Sequence, residues 1–281
     1  MFLLFLLNTI IKTLYEETDM NKNLALLPLC VAGLSLTSCG VSCGVYADAD
    51  KYLSGNQTYS ENITSLDIDW ISGSLTLIED DNIEGVKIEE DTNVTKEKEL
   101  VHTYLNEGIL KIKFFASGHV SAPFFKLKKD LTVTYHPGIE VIKVDMTSGS
   151  FKANTLTADK VDIGMTSGFS NIGTITAQEV DTDFTSGSMT IEHVNATSFD
   201  SDITSGSLKV KFDEISKASF DMTSGSIDMT LPESGGKVKA SKTSGRIITE
   251  RECTVSNNLY TFGEGSADIK VSMTSGKITI R

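Results

Sequence analysis

A Thr-Ser-Gly phrase recurs along the second half of this 281-residue chain at an almost constant interval. Its glycines are Gly149, Gly168, Gly187, Gly206, Gly225, Gly245 and Gly276. The first six are 19 or 20 residues apart, and the last interval is 31 residues. So short a period is typical of a solenoid, in which each repeat forms one coil and buries its apolar side chains only when neighbouring coils stack on it.

The residues on either side of the phrase alternate between apolar and polar, which is the pattern of half-buried strands. Val161, Ile163 and Met165 precede one phrase, and Met189 and Ile191 follow the next. At the corner, glycine is expected to supply a positive φ and serine to bond the amides of its own turn. The predicted fold class is therefore all-β: a single-stranded parallel β-solenoid, or β-helix, with coils of 19–20 residues and two short strands per coil.

The same pattern occurs once earlier, in residues 66–77, with Trp70 in the position of Met165. Residues 63–144 are therefore predicted to form irregular first coils of the solenoid. Residues 145–281 are predicted to form its regular coils and a C-terminal cap. A separate N-terminal β-domain is the alternative for residues 63–144.

The long interval between Gly245 and Gly276 indicates a loop before two closing strands, residues 269–273 and 277–281. Terminal repeats of solenoids are commonly atypical because they protect an open sheet edge. These two strands are therefore expected to cap the stack.

Residues 24–36 are mostly apolar and follow Lys22. A helix of this length would span about 20 Å, less than the roughly 30 Å of a hydrocarbon core, so a signal peptide is predicted. Leu36-Thr37-Ser38-Cys39 resembles the bacterial lipobox, which implies cleavage before Cys39 and a lipid on its thiol that binds the membrane. Ordinary secretory cleavage with a free Cys39 is the alternative.

Met20 is predicted to be the true start, because the preceding residues carry Glu16, Glu17 and Asp19 where a signal peptide carries positive charge. Residues 1–38 are then the signal segment. A membrane-lying segment over residues 1–15 is the alternative for a longer product.

The polar residues 39–62 are predicted to be a lipidated tether to the first coil. This places the protein, as an expectation, in the cell envelope or on the cell surface of a bacterium.

Composition and motifs argue against several functions. The formal net charge is −13 and no basic cluster occurs, which excludes a phosphate-backbone footprint and hence nucleic acid as a partner. Cys43 and Cys253 are too far apart in sequence to indicate a disulfide framework or a metal-ligand pair. No nucleophile elbow, zinc-protease phrase or phosphate loop is present, and the four histidines are scattered. The chain is predicted not to be an enzyme.

Aspartates form the strongest candidate for a binding site. On the outward face of the strands before each corner they fall into two columns: Asp162, Asp181 and Asp200 in one, and Asp145, Asp183, Asp202 and Asp221 in the other. Calcium takes several oxygen ligands, so these columns could bridge calcium or grip a partner. The favoured interpretation is that they keep a repetitive sheet soluble. No cofactor is predicted, with calcium as the alternative.

Two phenylalanine pairs, at residues 114–115 and 124–125, flank a loop rich in glycine, serine and proline. Exposed, they would form a partner-binding patch. Packing against the end or side of the solenoid is the favoured interpretation.

The lipobox, the tether and the Thr-Ser-Gly coils, which close on Gly265-Ser266-Ala267-Asp268-Ile269-Lys270-Val271, together resemble a bacterial domain-of-unknown-function family labelled "putative adhesin". The resemblance covers about residues 63–281. It implies a cell-envelope β-solenoid, and it supplies no catalytic or ligand residues.

The leading functional hypothesis is a non-enzymatic, lipid-anchored envelope protein whose repetitive polar and acidic face binds an envelope protein, a glycan or another extracellular partner. A carbohydrate-active β-helix that uses the aspartate columns is one alternative. An envelope-stress or signalling accessory protein is the other.

Overall fold

The structure is a computed structural model that describes residues 41–121 and 127–281. Most of the described chain forms strands, as the alternation of apolar and polar side chains predicts. The predicted signal segment, the lipobox cysteine Cys39 and the second phenylalanine pair lie outside the described residues. No helix in the described part is long and apolar enough to cross a membrane. Two short 3-10 segments, Ala49–Lys51 and Glu97–Glu99, accompany the strands.

Twenty-one strands follow one another along the described chain. They are β1 Val41–Ser42, β2 Leu53–Ser54, β3 Gln57–Tyr59, β4 Ser65–Trp70, β5 Ser74–Glu79, β6 Val86–Thr92, β7 His102–Asn106, β8 Ile109–Lys113, β9 Val120–Ser121, β10 Lys129–Tyr135, β11 Val141–Met146, β12 Ser150–Thr157, β13 Lys160–Met165, β14 Phe169–Phe184, β15 Ser188–Thr230, β16 Gly235–Lys242, β17 Arg246–Thr249, β18 Thr254–Ser256, β19 Leu259–Gly263, β20 Ala267–Met273 and β21 Lys277–Ile280. β14 and β15 continue through bends and therefore contain several coil segments.

The middle of the molecule is a stack of parallel strands. β11 pairs in parallel with β13, β13 with β14, and β14 with β15, and each register joins residues nineteen apart, such as Val161 with Val180. β4 pairs in parallel with β11 and places Trp70 opposite Met146. Residues 65–79 therefore continue the same sheet, and the all-β, mostly parallel, solenoid-like class is confirmed.

The corners stack as closely as the strands do. Gly149, Gly168 and Gly187 have φ of 110–115°, and a Cβ on any of them would collide with the carbonyl oxygen of the corner glycine in the preceding coil. Gly206 is the exception, because it is not among the described residues with positive φ. The prediction that every corner glycine uses a positive φ is wrong at this position.

The corner serines also differ from expectation. Ser167 Oγ donates to Thr147 O at 3.3 Å, and Ser186 Oγ donates to Thr166 O at 3.2 Å. Each hydroxyl thus joins its coil to the coil before it and does not bond the amides of its own turn. The physical reason is that the neighbouring coil already satisfies the corner backbone, as in the bond from Ser167 N to Thr147 O.

The interior is a continuous apolar core. The alternating residues Val161, Ile163 and Met165 are buried, as are their counterparts in the adjacent coils. Further along, Phe199, Phe212 and Phe220 are in mutual ring contact, with centroids 5.3–6.3 Å apart. Two small polar side chains are buried in the same interior, where Thr182 Oγ1 donates to Ser201 Oγ at 2.9 Å.

At the N-terminal end the order of strands in space departs from their order in the chain. β8 pairs in parallel with β4, and β10 with β5, so residues 109–113 and 129–135 form the strands outside residues 65–79. Antiparallel strands then close this end: β6 beside β10, β7 beside β8, β3 beside β6 and β2 beside β7. We call strands β1–β3 and β6–β10 the N-terminal cap.

This arrangement changes the interpretation of the predicted tether. Residues 53–54 and 57–59 lie inside the predicted span 39–62, yet they form β2 and β3, and Tyr59 is buried. Tyr59 also shares a hydrogen bond with Thr103 at 2.7 Å. The polar composition of the segment reflects its place at the edge of the sheet.

The C-terminal end shows a second change of order. β20 pairs in parallel with residues 217–222 of β15 on one side and with β16 on the other, and β21 likewise lies between β15 and β17. The prediction that residues 269–281 cap the stack is therefore wrong. The cap is formed by β19, which pairs antiparallel with β16, and by β18 beside β19.

Candidate functional site

The sheet formed by the strands before each corner carries a row of outward carboxylates. Asp162 pairs directly with Asp181, and Asp181 with Asp200. Two residues further along the strands, Asp183 pairs directly with Asp202. We call the outward side of this sheet the acidic face. The structure thus brings the predicted columns together, because the inward residues alternate with them and are fixed by the core.

The second column contains a gap at Gly164, which pairs with Asp145 and Asp183. A Cβ at Gly164 would collide with Oδ1 of Asp145, so the Asp145 side chain extends over the glycine. Lys143 Nζ also lies 3.1 Å from Asp145 Oδ2. The gap lets one carboxylate of the column turn toward a lysine and away from its neighbours.

The crowded carboxylates disfavour their own ionisation. Partial burial, followed by the charges of neighbouring aspartates, raises the pKa of Asp183 and of Asp200 above its ordinary value. Burial also raises the pKa of Asp162, although Lys143 opposes the shift. In the part of the chain that the structure describes, none of these three carboxylates lies within ion-pair distance of a basic side chain. The face therefore holds negative charge that its own residues leave uncompensated.

A groove of about 840 Å³ runs along the second column and ends against the N-terminal segment. Its lining includes Asp69, Lys113, Asp145, Asp183 and Asp202. Residues 42–46 form its end wall, since β1 pairs with β9 and the Cys43 amide donates to His119 O. We call this cavity the acidic groove.

Three tyrosines lie at the N-terminal end of the acidic face. The rings of Tyr46 and Tyr52 are 4.6 Å apart, and those of Tyr52 and Tyr104 are 5.3 Å apart. Burial raises the pKa of Tyr46 to about 12, and its hydroxyl donates to Phe115 O. The sequence pattern does not predict this cluster, because two of the tyrosines fall in the predicted tether.

Lysines lie at the other end of the same face. Lys217, Lys239 and Lys270 occupy outward positions of β15, β16 and β20 and are exposed. They are far apart in sequence and become neighbours only because β20 lies between β15 and β16. The order of residues in the sequence therefore does not reveal this group of lysines. The alignment of the strand before the last Thr-Ser-Gly phrase with the other coils is the only feature of the sequence that relates them.

A buried charged cluster lies beneath the N-terminal cap. Lys129 Nζ is 2.6 Å from Glu90 Oε1, and both side chains are only 1% exposed. The ammonium also donates to Phe114 O at 2.6 Å and lies 4.5–5.3 Å from the ring centroids of Phe114, Phe115 and Trp70. Burial lowers the pKa of Lys129 to about 8, and Glu90 opposes that shift. The sequence does not predict this cluster. Residues 128 and 129 are both lysines, and nothing in the sequence distinguishes the exposed one from the buried one.

The remaining candidates take structural positions. Phe114 and Phe115 are completely buried, so this pair packs inside the solenoid. His193 Nδ1 lies 2.7 Å from Asp213 Oδ2 on the surface, and His102 is buried against Leu100 O. The lipidation candidate Cys39 lies outside the described residues. The corner glycines Gly149, Gly168, Gly187, Gly206, Gly225, Gly245 and Gly276 form one stacked row.

The chemistry available at the acidic face is binding by charge and hydrogen bonds. Within residues 41–121 and 127–281, no group of three or more histidine, cysteine or acidic side chains has the geometry to hold a metal ion. Calcium bridging of the columns stays a prediction. A rise in melting temperature on adding calcium, abolished by D183N/D202N, would establish it.

These features define a class: a solenoid-like, mostly parallel β-protein with stacked corners and an acidic face. The family model described as Toastrack DUF4097 matches residues 106–281, and the chain belongs to this family. The resemblance to the "putative adhesin" family is confirmed. No curated protein matches the chain.

Several solved bacterial structures are similar to this chain at low identity. One is a "putative cell adhesion protein" from Clostridium sporogenes, with 18% identity, a TM-score of 0.38, and coverage of 82% of this chain and 99% of that chain. Another is a "putative adhesin" from Bacteroides fragilis, with 13% identity, a TM-score of 0.46, and coverage of 80% and 96%. A "putative lipid binding protein" from Parabacteroides distasonis has 16% identity, a TM-score of 0.42, and coverage of 81% and 97%. The family assignment rests on the family model.

Proposed function

We propose that this chain is a non-enzymatic, adhesin-like protein of the cell envelope and that the acidic face is its contact surface. The observation that carries the proposal is the row of directly paired outward aspartates, from Asp162 to Asp200, beside a groove of about 840 Å³. Like charges on paired strands are destabilising, so an external cationic or hydrogen-bonding partner would relieve a cost that the fold otherwise bears.

The repeat supplies the surface with its length. The registers of nineteen residues support the coil of 19–20 residues with two strands that the sequence predicts. Each added coil lengthens the face by one strand spacing of about 4.8 Å. A partner with a repeating structure, such as a glycan or an extended protein segment, fits such a face better than a small molecule does.

The arrangement of the acids supports binding more than catalysis. A glycosidase needs one carboxylic acid whose pKa is raised in a shielded cleft and a second carboxylate that stays ionised. Here the pKa values of Asp162, Asp183 and Asp200 are all raised, and the three residues lie on one open face. Repetition of the environment gives no division of roles.

Binding can be tested by coating beads with the purified chain and measuring their attachment to intact bacterial and host cells. D183N/D202N removes two groove charges, and we expect attachment to fall several-fold. E192Q/E214Q is the matched control, since both glutamates are exposed on the other side of the coil. Equal attachment of the two variants and the unaltered chain would overturn the proposal.

We also propose that the chain is held at the membrane by a lipid on Cys39, as the lipobox resemblance implies. Metabolic labelling with a radioactive fatty acid should label the unaltered chain and C43S but not C39S. Fractionation should move C39S from the membrane to the soluble envelope fraction. Label on C39S would show that the anchor lies elsewhere.

The two alternative functions can be distinguished by the partner or substrate that each requires. A signalling accessory protein would pull down one envelope protein from detergent-solubilised cells, and D183N/D202N would lose it without changing cell attachment. A carbohydrate-active protein would shorten a polysaccharide on incubation. The tyrosines Tyr46, Tyr52 and Tyr104 beside the groove favour a glycan as ligand, because aromatic rings and carboxylates together can contact the apolar and hydroxyl sides of a sugar.

A further inference from the structure

The outward columns of the acidic face change sign along the solenoid. Following the strand pairings, one column contains Asp162, Asp181, Asp200, Ser219, Lys270 and Lys239, in that order in space. The strand of Asp200 and the strand of Ser219 are neighbours, since the rings of Phe199 and Phe220 are 5.6 Å apart. Three acids are therefore followed by a neutral residue and two lysines.

The column is antisymmetric about Ser219. One strand away on either side stand Asp200 and Lys270, and two strands away stand Asp181 and Lys239. The adjacent column contains Glu179, Ser198, Lys217, Asp268 and Lys237 in the same order in space. It repeats the relationship only at its outer members, because Glu179 and Lys237 are each two strands from Lys217, whereas Asp268 and Ser198 next to Lys217 are not of opposite sign. A two-fold rotation about an axis parallel to the Ser219 strand would bring three acids opposite lysines: Asp200 opposite Lys270, Asp181 opposite Lys239, and Glu179 opposite Lys237.

The charged groups of this pattern are mostly without internal partners. Within the described residues, neither Asp200 nor any of Lys237, Lys239 and Lys270 has an ion-pair partner. Lys160 pairs with both Glu179 and Asp181, and it is 2.6 Å from Asp181. Unpaired charges of opposite sign on one surface are available to a partner carrying the reverse order.

We propose that the acidic face binds a second copy of this chain, face to face and with the two solenoids antiparallel. This inference rests on the proposed function, in which the same face is the contact surface, and it names the partner. The contact is isologous: Asp200 of one copy meets Lys270 of the other, and the reverse pair forms on the opposite side of the axis.

The size of the face sets the strength of the contact. Six-residue strands are about 20 Å long and the five strands that have counterparts across the axis cover about 24 Å, so roughly 480 Å² is covered on each copy. A total of roughly 1,000 Å² is the size of a weak, transient interface. On the axis, Lys217 of one copy meets Lys217 of the other, and Asp221 meets Asp221. These pairs of like charge further weaken the contact. We expect dissociation in the micromolar range.

The antiparallel geometry has a consequence for adhesion. The two-fold axis places the N-terminal caps of the two copies at opposite ends of the dimer. If both chains are anchored through Cys39, their membranes lie on opposite sides of the contact. The dimer then joins two surfaces and does not assemble within one.

The proposal can be tested in solution by reversing the charges of the residues that would pair. The full chain carrying C39S is used, and sedimentation over a concentration series measures its self-association. We expect the parent chain to dimerise. K239E/K270E and D181K/D200K are each expected to weaken self-association at least tenfold. K152E/K209E changes the same net charge on the outward side of the other sheet and should dimerise like the parent.

The decisive sample is an equimolar mixture of K239E/K270E and D181K/D200K. Each variant carries one sign of charge at positions 181, 200, 239 and 270, so the mixture is expected to form a heterodimer, and the fourfold variant should again form a homodimer. Melting curves establish that all variants are folded. A monomeric parent chain, or a mixture that stays monomeric, overturns the proposal.

The proposed contact face and the proposed dimer can be refuted independently. If the parent chain is monomeric while D183N/D202N still loses cell attachment, the second copy is the wrong partner and the contact face stands. If self-association behaves as expected but attachment is unaffected by D183N/D202N, adhesion to cells is the wrong role for the dimer.

Discussion

The regular middle coils and the N-terminal cap, apart from its β1–β9 pair, belong to one sheet but achieve their specificity by different means. In the middle, like residues stack on like: Val161 on Val180, and Gly168 on Gly149. In the cap, one buried ion pair, Lys129 with Glu90, is surrounded by aromatic rings and occurs nowhere else among the described residues. Repetition makes the middle extensible, whereas a unique polar cluster gives the stack a defined first coil.

The largest expected effect comes from breaking the unique cluster. K129M leaves the carboxylate of Glu90 buried without its cation, and we expect the free energy of unfolding to fall by about 3–5 kcal/mol. Urea denaturation followed by circular dichroism measures this loss. K128M alters the exposed neighbour and should change stability by less than about 0.5 kcal/mol.

The double variant E90Q/K129M separates the charge from the packing. It removes the uncompensated carboxylate, so we expect it to be more stable than K129M. A double variant as unstable as K129M would show that the lysine stem and its ring contacts matter more than the ion pair.

The same lysine predicts a pH dependence. The pKa of Lys129 is lowered by burial to about 8, so between that pH and the ordinary value near 10.4 the unfolded chain binds more protons than the folded one. The contribution of this lysine therefore favours folding increasingly as pH rises through 8 and is reduced as pH falls. Denaturation at pH 7.5 and 9 should show a stability rise in the parent chain that is smaller or absent in E90Q/K129M.

The next effect tests the repetition of the middle coils at their corners. G168A places a side chain at φ 110° and against the Gly149 carbonyl, and we expect a loss of about 1–3 kcal/mol. In G206A the backbone lacks a positive φ, and the new Cβ would be 2.8 Å from Gly187 O and 2.9 Å from Phe184. We expect a smaller loss in G206A. Equal losses would show that crowding alone, without φ, sets the cost.

A smaller effect is expected where the middle coils contain a polar pair of their own. T182V leaves the buried Ser201 hydroxyl without its donor, at a cost of about 1 kcal/mol. T182V/S201A removes both hydroxyls and should recover part of that loss. If T182V is neutral, the pair has no role in ordering the coil, and the contrast with the charged cluster of the cap becomes sharper.

The smallest effect concerns the acidic face. The raised pKa of Asp200 means that its ionised form opposes folding, a cost absent below the unfolded pKa and present once pH rises through the folded one. D200N/D202N should therefore stabilise the chain by about 0.5 kcal/mol at pH 7, with the gain disappearing near pH 4. Thermal melting at the two pH values measures this change. A loss of stability at pH 7 would show that the carboxylates make favourable contacts.

Much of the fold follows from the sequence wherever one coil repeats the next. The alternation around Met165 and the phrase containing Gly168 predict the inward residues and the corner, because side chains on paired strands point to the same face. Trp70 is correctly placed by the same pattern, in register with Met146. The acidic columns follow from the same alignment.

The ends could not be predicted in this way, because chain order and spatial order differ there. β8 and β10 lie outside β4 and β5, and nothing local in residues 109–135 specifies that they precede residues 65–79 in space. The lysines at the C-terminal end of the acidic face were missed for the same reason. Lys129 was missed because a buried lysine and an exposed one are identical in a single sequence.

The position of β20 and β21 sets an order for biosynthesis. Residues 217–222 and β16 emerge from the ribosome before β20, yet the pairings join them through it. Coils can therefore assemble one by one during translation only as far as residue 230. The following segment, β16–β19, must wait at the open end until the later strands enter beneath it, so the final two coils form as a single late step.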